Sequence, residues 1–336
     1  MAKLSQLICL GVESTADNLG VGIVTSEGKI LANEVMIHVP STGGIHPREA
    51  ARHHSENIGK LIQQALDRAN LAPSEISFIS FAQGPGLGPC LRTGATSARA
   101  LAIYLKIPLV GVNHCVSHIE IGRLATGAIN PITLYVSGGN TMISGFESGR
   151  YRVYGETLDI AIGNCLDTFA RTAGLKYPGG PAIEVKAAKG SKLIPLPYAV
   201  KGMDLSFSGL MTAVTNEFKT GNYRIEDLCY SLQETSYAML GEVTERALAH
   251  TGKKELLLTG GVGANKRLRA MIKEIAEEQG AQPYYVPIDL ATDNGAMIAW
   301  TGILAYTHGV RTPIETSYIK SKWRLDEVGI PWWLSY

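Results

Sequence analysis

The chain has 336 residues, 45% of them hydrophobic and 18% charged, with a formal net charge of +1. That supplies a core for two domains or one large one, and it excludes a chain that holds nucleic acid by bulk charge alone. Five scattered cysteines (Cys9, Cys90, Cys115, Cys165, Cys229) contain no C-x-x-C, which argues against a disulfide framework and for buried thiols in a reducing cytoplasm. Neither a signal peptide nor a membrane span is evident, so a cytoplasmic protein is expected.

Residues 7–12 read as a buried strand, 19–24 as a second and 30–36 as a third, a meander whose first turn is Glu13-Ser14-Thr15-Ala16-Asp17-Asn18. Glu13, Ser14 and Thr15 form a turn able to offer hydroxyls and backbone N–H groups to a phosphate, or an ordinary hairpin. After the loop Thr42 to Pro47 the apolar period predicts a helix, with His53 and His54 lining its surface or capping it. Residues 76–82 are a strand, and Gly84-Pro85-Gly86 turns into a helix that runs to about 105 but lacks the Lys of a Walker loop. A short strand, 108–112, delivers His114 and His118. Four residues apart on a helix, their imidazoles stack on one face and can share one transition-metal ion. Cys115 stands where a zincin has its general-base Glu, so this is another kind of site.

Residues 132–143 repeat the strand–glycine turn–strand layout, and another strand covers 150–157. Asp159 to Thr172 reads as a helix containing Asp167, and the loop from Tyr177 opens a helix with Glu184 in its first turn. Helices follow over 205–219 and 226–250, then a strand and glycine turn over 256–265 containing Gly260 and Gly261, with a helix from Asn265 whose amides face the turn. A strand at 284–288 and a helix from about 295 to 307 lead to the basic, aromatic run Lys320 to Arg324. The layout predicts two similar α/β lobes facing a cleft, residues 1–125 plus 296–336 and residues 126–295.

The three strand–turn segments, 11–24, 132–143 and 256–265, are spaced as in the actin-like ATPase (ASKHA) fold of actin, sugar kinases and heat-shock proteins, where they serve as phosphate and adenosine loops. In order along the chain stand Gly11-Val-Glu-Ser-Thr, Gly84-Pro-Gly-Leu, Asn113-His-x-x-x-His118, Ser137-Gly-Gly-Asn, Leu158-Asp-Ile-Ala-Ile-Gly-Asn, Tyr177-Pro-Gly-Gly-Pro, Phe207-Ser-Gly-Leu, Thr259-Gly-Gly-Val and Thr292-Asp-Asn-Gly-Ala. From about residue 7 to 324 the chain closely resembles the TsaD/Kae family, formerly labelled O-sialoglycoprotein endopeptidases, in its archaeal and eukaryotic branch. Thr93, Arg99 and Ala291 depart from residues common in that family, and none of the three is a proposed ligand.

The resemblance implies an acyltransferase that moves the threonylcarbamoyl group of threonylcarbamoyl-AMP to the exocyclic amine of the adenosine 3′ of the anticodon, in tRNAs reading ANN codons. It implies one transition-metal ion, iron or zinc, on His114, His118, Tyr135 and Asp293. It further implies an adenine nucleotide, ATP or threonylcarbamoyl-AMP, on Tyr135, Val136, Ser137, Gly138, Gly139, Asn140, Asp167, Gly180, Glu184 and Asn265. The implied partners are tRNA and the subunits of a KEOPS-type complex, including a small atypical protein kinase and a small dimerising subunit. Plainer readings stand beside these: Tyr135 as core, Asp293 as a helix cap, Asp167 and Glu184 as helix-surface acids. A metallopeptidase, a small-molecule kinase and a non-catalytic nucleotide-gated scaffold are the competing classes.

Overall fold

Short apolar runs closed by glycine turns become strands, and stretches of helical period become helices, in the computed structural model of the chain, which describes residues 6–40 and 44–333. Thr42 and Gly43 of the expected loop lie outside the described residues. The elements in order are β1 (Ile8–Glu13), β2 (Asn18–Thr25), β3 (Ile30–Ile37), α1 (Pro47–Ala69), β4 (Phe78–Gly84), α2 (Gly88–Leu105), β5 (Leu109–Asn113) and α3 (His114–Thr126). There follow β6 (Ile132–Val136), β7 (Thr141–Glu147), β8 (Arg150–Glu156), α4 (Ile162–Thr172), α5 (Gly179–Ala187), β9 (Val200–Lys201), β10 (Asp204–Leu205), α6 (Ser208–Thr220) and α7 (Ile225–Thr251). The chain continues through β11 (Glu255–Thr259), α8 (Lys266–Glu278), β12 (Gln282–Tyr285), α9 (Ile288–Ala291) and α10 (Gly295–Thr307). They fall into two compact units: residues up to Ala125, Ser148–Tyr151 and from Asp293 onward in one, Thr126–Glu147 with Arg152–Thr292 in the other.

In the first unit the sheet order is β3-β2-β1-β4-β5. Tight turns make β1, β2 and β3 antiparallel neighbours, while helical crossovers make β1, β4 and β5 parallel. Leu10, Val12, Val21 and Ile23 point to one face and pack against Ile58, Leu61 and Ala65 of α1 and Ala95 and Ala98 of α2. The alternate positions on the other face include Gly11, Gly20 and Gly22, with Gly11 paired to Gly22 across the strands. Onto this bare backbone α10 descends: a Cβ on Gly22 would lie 2.2 Å from the Ala296 nitrogen, and one on Gly295 2.0 Å from the Gly22 nitrogen. The close seat fixes where α10 begins, and with it the residue before its cap, Asp293.

In the second unit the order is β12-β11-β6-β7-β8, the same arrangement of third, second, first, fourth and fifth strands read from the other edge. Ile132, Leu134 and Val136 of β6 share a core with Ile162 and Phe169 of α4 and with Leu232, Leu240 and Val243 of α7. No helix among the described residues is long and apolar enough to cross a membrane.

Four local expectations need correction. The helix expected from Asp159 begins at Ile162, because the Asp159 carboxylate accepts from the amides of Ile160 (2.6 Å), Phe207 (2.9 Å) and Ser208 (3.1 Å) and from the Ser206 and Ser208 hydroxyls, which pulls the chain out of helical geometry. Glu184 is not in a first turn: α5 starts at Gly179, inside the expected loop. The strand expected at 284–288 is β12, Gln282–Tyr285, and the chain turns into α9 at Ile288. His54 does not line the surface: it is fully buried, with Nε2 3.0 Å from the Ala16 carbonyl, as the β1–β2 turn folds back over α1.

Burial opposes ionisation of Asp159, but the hydroxyls and amides around it outweigh burial and hold the carboxyl well below the usual carboxylate range. A depressed pKa in the fold contributes stability above the unfolded value of about 3.9, and that contribution is lost as pH falls. Asp159→Asn is expected to be less stable than wild type in urea at pH 7, with the gap narrowing at pH 3. An equal gap at both pH values would contradict this account of the carboxylate.

Candidate metal centre and nucleotide loops

Asn113 ends β5, and its side-chain oxygen accepts from the Cys115 (2.9 Å) and Val116 (3.1 Å) amides, so the strand turns directly into α3. His114 and His118 then fall one turn apart, with ring centroids 4.7 Å apart and near perpendicular. Both are buried. From the far end of the sequence α10 brings Asp293, whose Oδ1 lies 3.0 Å from His118 Nε2 and 3.6 Å from His114 Nε2. The cap of α10 is not Asp293 but Asn294, whose Oδ1 accepts from the Met297 amide at 3.0 Å. Asn33 on β3 adds a second acceptor, for the Ala296 amide at 3.1 Å. The helix is therefore held without Asp293, which is left to face the two imidazoles.

One ligand atom from each of His114, His118 and Asp293 can be chosen so that all lie within 4.8 Å of one another. Two imidazole nitrogens and a carboxylate oxygen, converging in a buried place, are the donor set of a zinc or non-haem iron site, so these residues fit a metal ion. Glu13, fully buried at the end of β1, completes the arrangement from behind: its Oε2 is 2.9 Å from His114 Nδ1. Such a carboxylate favours the tautomer with the proton on Nδ1, in which Nε2 carries the lone pair a metal takes. Burial opposes protonation of His114, yet Glu13 and Asp293 outweigh it and raise its pKa. His118 is lowered, by burial first and by His114 in addition, although Asp293 works the other way. Burial of Asp293 favours its neutral form, but the two histidines outweigh that and hold it ionised.

Glu13 is offered by the sequence to a phosphate turn or to an ordinary hairpin. Its other oxygen accepts from the Thr15 amide at 2.6 Å, and Glu13, Ser14 and Thr15 are all buried. The Thr15 amide is thus taken by Glu13, and Glu13 by His114. Nothing in the spacing of residues 13 and 114 announces that bond; it exists because β4 lies between β1 and β5 and pairs in parallel with both.

The remaining expected site residues lie in the second unit. Tyr135 is buried on β6 with its hydroxyl 3.3 Å from the Asn140 side-chain amide. The Ser137–Asn140 turn is closed by Ser137 N–H donating to the Asn140 carbonyl (2.8 Å) and Asn140 N–H to Ser137 Oγ (3.0 Å). Gly138 and Gly139 at its tip are exposed, and a Cβ on either would meet nothing within 4 Å. Gly260 is the opposite case, with φ of +90° and a Cβ that would lie 2.1 Å from the Val136 carbonyl oxygen, so the fold itself requires glycine. At Gly261 a Cβ would be in ordinary contact with Thr292, at 3.6 Å, and at Gly180 with Leu166, at 3.9 Å. Glycine at 138 and 139 is thus not demanded by packing, and its use there fits close approach of something outside the chain.

Asp167 accepts from the Gly179 amide at 2.7 Å and so caps α5, and burial raises its pKa. Glu184 accepts from the Lys266 amide at 2.8 Å, at the start of α8. Asn265 is the cap of that helix: Oδ1 accepts from Arg267 (2.9 Å) and Leu268 (3.1 Å), while Nδ2 donates to Gln233 (3.0 Å). Its side chain is engaged within the fold at both ends, beyond the expected contact with adenine or its phosphate side. The basic run beside it is also committed locally, since Arg267 forms a two-pronged pair with Glu234 and Arg269 donates to the Gly263 carbonyl.

The family described as TsaD, tRNA N6-adenosine threonylcarbamoyltransferase, matches residues 29–300. A tRNA N6-adenosine threonylcarbamoyltransferase of Methanopyrus kandleri is 54% identical, over 97% of this chain and 96% of its own. A probable bifunctional tRNA threonylcarbamoyladenosine biosynthesis protein of Methanobrevibacter smithii is 56% identical over 97% of this chain, which spans 60% of it. Among solved structures, T. kodakarensis HypF superposes with a TM-score of 0.64 at 15% identity, covering 89% of this chain and 48% of its own, a likeness of fold alone. The fold is that of the actin-like ATPases, with two α/β units of like strand order. With the match covering most of its length and relatives above half identical, the chain belongs to the tRNA N6-adenosine threonylcarbamoyltransferase family.

Proposed function

We propose that this chain transfers the threonylcarbamoyl group of threonylcarbamoyl-AMP to the exocyclic amine of the adenosine 3′ of the anticodon, in tRNAs reading ANN codons. The observation that carries the reading is the buried convergence of His114, His118 and Asp293, backed by Glu13, in a member of this family. These three hold iron or zinc. When bound, the ion supplies Lewis-acid polarisation and neutralises charge on phosphate or carbamoyl oxygens. Glu13 keeps the Nδ1 proton on His114 and so keeps Nε2 turned toward the ligand position.

The Ser137–Asn140 turn takes the nucleotide phosphate, with the open space at Gly138 and Gly139 as the support for that role. Asp167 and Glu184 accept from the ribose hydroxyls beside the amides they already hold. In the reaction the amine nitrogen bonds to the carbamoyl carbon, the bond from that carbon to the phosphate oxygen breaks, AMP leaves with the electron pair, and the amine loses a proton. Holding donor and amine together is the chain's main contribution, as expected for acyl transfer between two bound substrates.

With a net charge of +1 and Arg267 and Arg269 engaged within the fold, the chain by itself binds tRNA weakly. Weak binding alone calls for partners, and KEOPS-type subunits, a small atypical protein kinase and a small dimerising subunit among them, supply that role in the cytoplasm. The longer bifunctional relative supports a second module working beside this one. The test is transfer of labelled threonine to tRNA, with bicarbonate, ATP, a threonylcarbamoyl-adenylate synthase and the partner subunits supplied. Label is expected on adenosine in tRNA only when this chain is present. No label with any partner set, while nucleotide binding persists, would favour a scaffold instead.

A further inference from the structure

The helix that carries His114 and His118 also carries a buried ion pair that the chemistry above does not use. Glu120 and Arg123 are fully buried, with Arg123 Nη1 2.9 Å from Glu120 Oε2. Glu120 Oε1 accepts from the Tyr151 hydroxyl at 2.7 Å and from the Trp332 indole N–H at 2.9 Å. The Arg123 guanidinium lies 4.0 Å from the centre of the Trp333 ring, which Tyr151 meets edge-on. The two tryptophans are brought there by the pairing of Arg150 with Gly329 and by the Ile330 amide donating to the Gly149 carbonyl at 2.9 Å. Three segments far apart in sequence thus meet on one carboxylate, and all three belong to the first unit.

Such a cluster is a poor device for stability alone. Burying two charges costs roughly what their attraction returns, and apolar residues of like volume do as well or better. What charged hydrogen bonds add is direction. Apolar packing lets a helix slide or rotate by small amounts; a carboxylate held by donors from two other segments does not. Glu120 is two residues beyond His118, about 200° around α3 at 3.6 residues per turn, so the anchor grips the side away from the histidines. Metal sites tolerate little displacement of their ligands, on the order of 0.5 Å.

We infer that Glu120, Arg123, Tyr151 and Trp332 are positioning residues for the metal centre, setting the rotation of α3 so that His114 and His118 face Asp293, and that the segment Ile330–Trp333 is part of that device. The inference rests on the metal-site reading. Two variants test it with cobalt(II) as the probe, read by its d–d absorption, and zinc(II), read by chelator competition. Trp332→Phe keeps an aromatic ring, though a smaller one, and removes the indole N–H donor. The double variant Glu120→Leu/Arg123→Met removes both charges and leaves no buried ion unpaired. Both are expected to unfold thermally near wild type yet to bind either ion about tenfold more weakly, with altered cobalt bands, the scale seen for residues that orient metal ligands. Trp323→Phe, outside the cluster, is expected to bind as wild type. Wild-type affinity and unchanged bands in Trp332→Phe would overturn the inference, and should the double variant not fold, Trp332→Phe alone decides. A wild-type chain that took up neither ion would instead refute the metal reading itself.

Discussion

Asp293→Ala is expected to abolish retained metal and to lower threonylcarbamoyl transfer at least about a hundredfold, the range in which even residues behind the ligands already act. The effect should be local. The start of α10 is capped by Asn294 and by Asn33, neither of which the substitution touches, and its seat on the sheet is set by Gly22 and Gly295. The protein should therefore fold and keep nucleotide affinity while losing the ion. Asp293→Asn keeps the size and removes the charge, and should fall between the two. Metal content after gel filtration and labelled-threonine transfer are the two measurements. A folded Asp293→Ala chain that retained both would remove Asp293 from the ligand set.

Gly22→Ala should cost the first unit a large share of its stability for a single added methyl group. The added carbon would lie 2.2 Å from the Ala296 nitrogen, 2.4 Å from the Gly295 carbonyl carbon and 2.5 Å from the Ala296 Cα, all backbone. No rotamer change relieves such a contact; strand or helix must move by more than an ångström. Ordinary overpacking of side chains costs about 1–3 kcal/mol, and this case belongs at or above the top of that range. At about 3 kcal/mol the melting temperature would fall by about 10 °C. Gly138→Ala is the contrast, since its methyl meets open space: unfolding should not change, and nucleotide affinity should drop if the turn holds phosphate. Differential scanning calorimetry of the two variants decides the first part. Equal melting temperatures would mean that α10 is not seated as described.

Much of this architecture is legible in the sequence, because strands and helices differ in period and glycine turns punctuate both. The apolar runs ending at Val12, Val112 and Val136 are strands, and the pair His114 and His118 sits on a helix as its spacing requires. What failed to show was mostly the work of polar side chains. Asp159 looks like the start of a helix until its oxygens are seen to hold Phe207 and Ser208. Glu184 lies deeper in α5 than expected because the glycines before it are themselves helical. Asn265, which the resemblance sets beside adenine or its phosphates, also caps α8 and bonds Gln233, roles that its sequence context does not display. Glu13 reads as part of a phosphate turn, since its partner is 101 residues away and only sheet pairing brings the two together. Hydrophobic pattern reports which face is buried, not which of several acceptors a buried donor will choose.

The first unit is written in pieces, and that has a consequence for how the protein is made. The chain leaves it at Ala125 and does not return for good until Asp293. On a ribosome, at about 5–20 residues per second, the strands carrying Gly11 and Gly22 wait on the order of ten seconds for the helix that covers them. Glu13 and both histidines emerge well before the carboxylate that faces them. The site thus cannot assemble until Asp293 has been translated, so Glu13 and both histidines wait through the synthesis of nearly the whole second unit for the carboxylate that faces them.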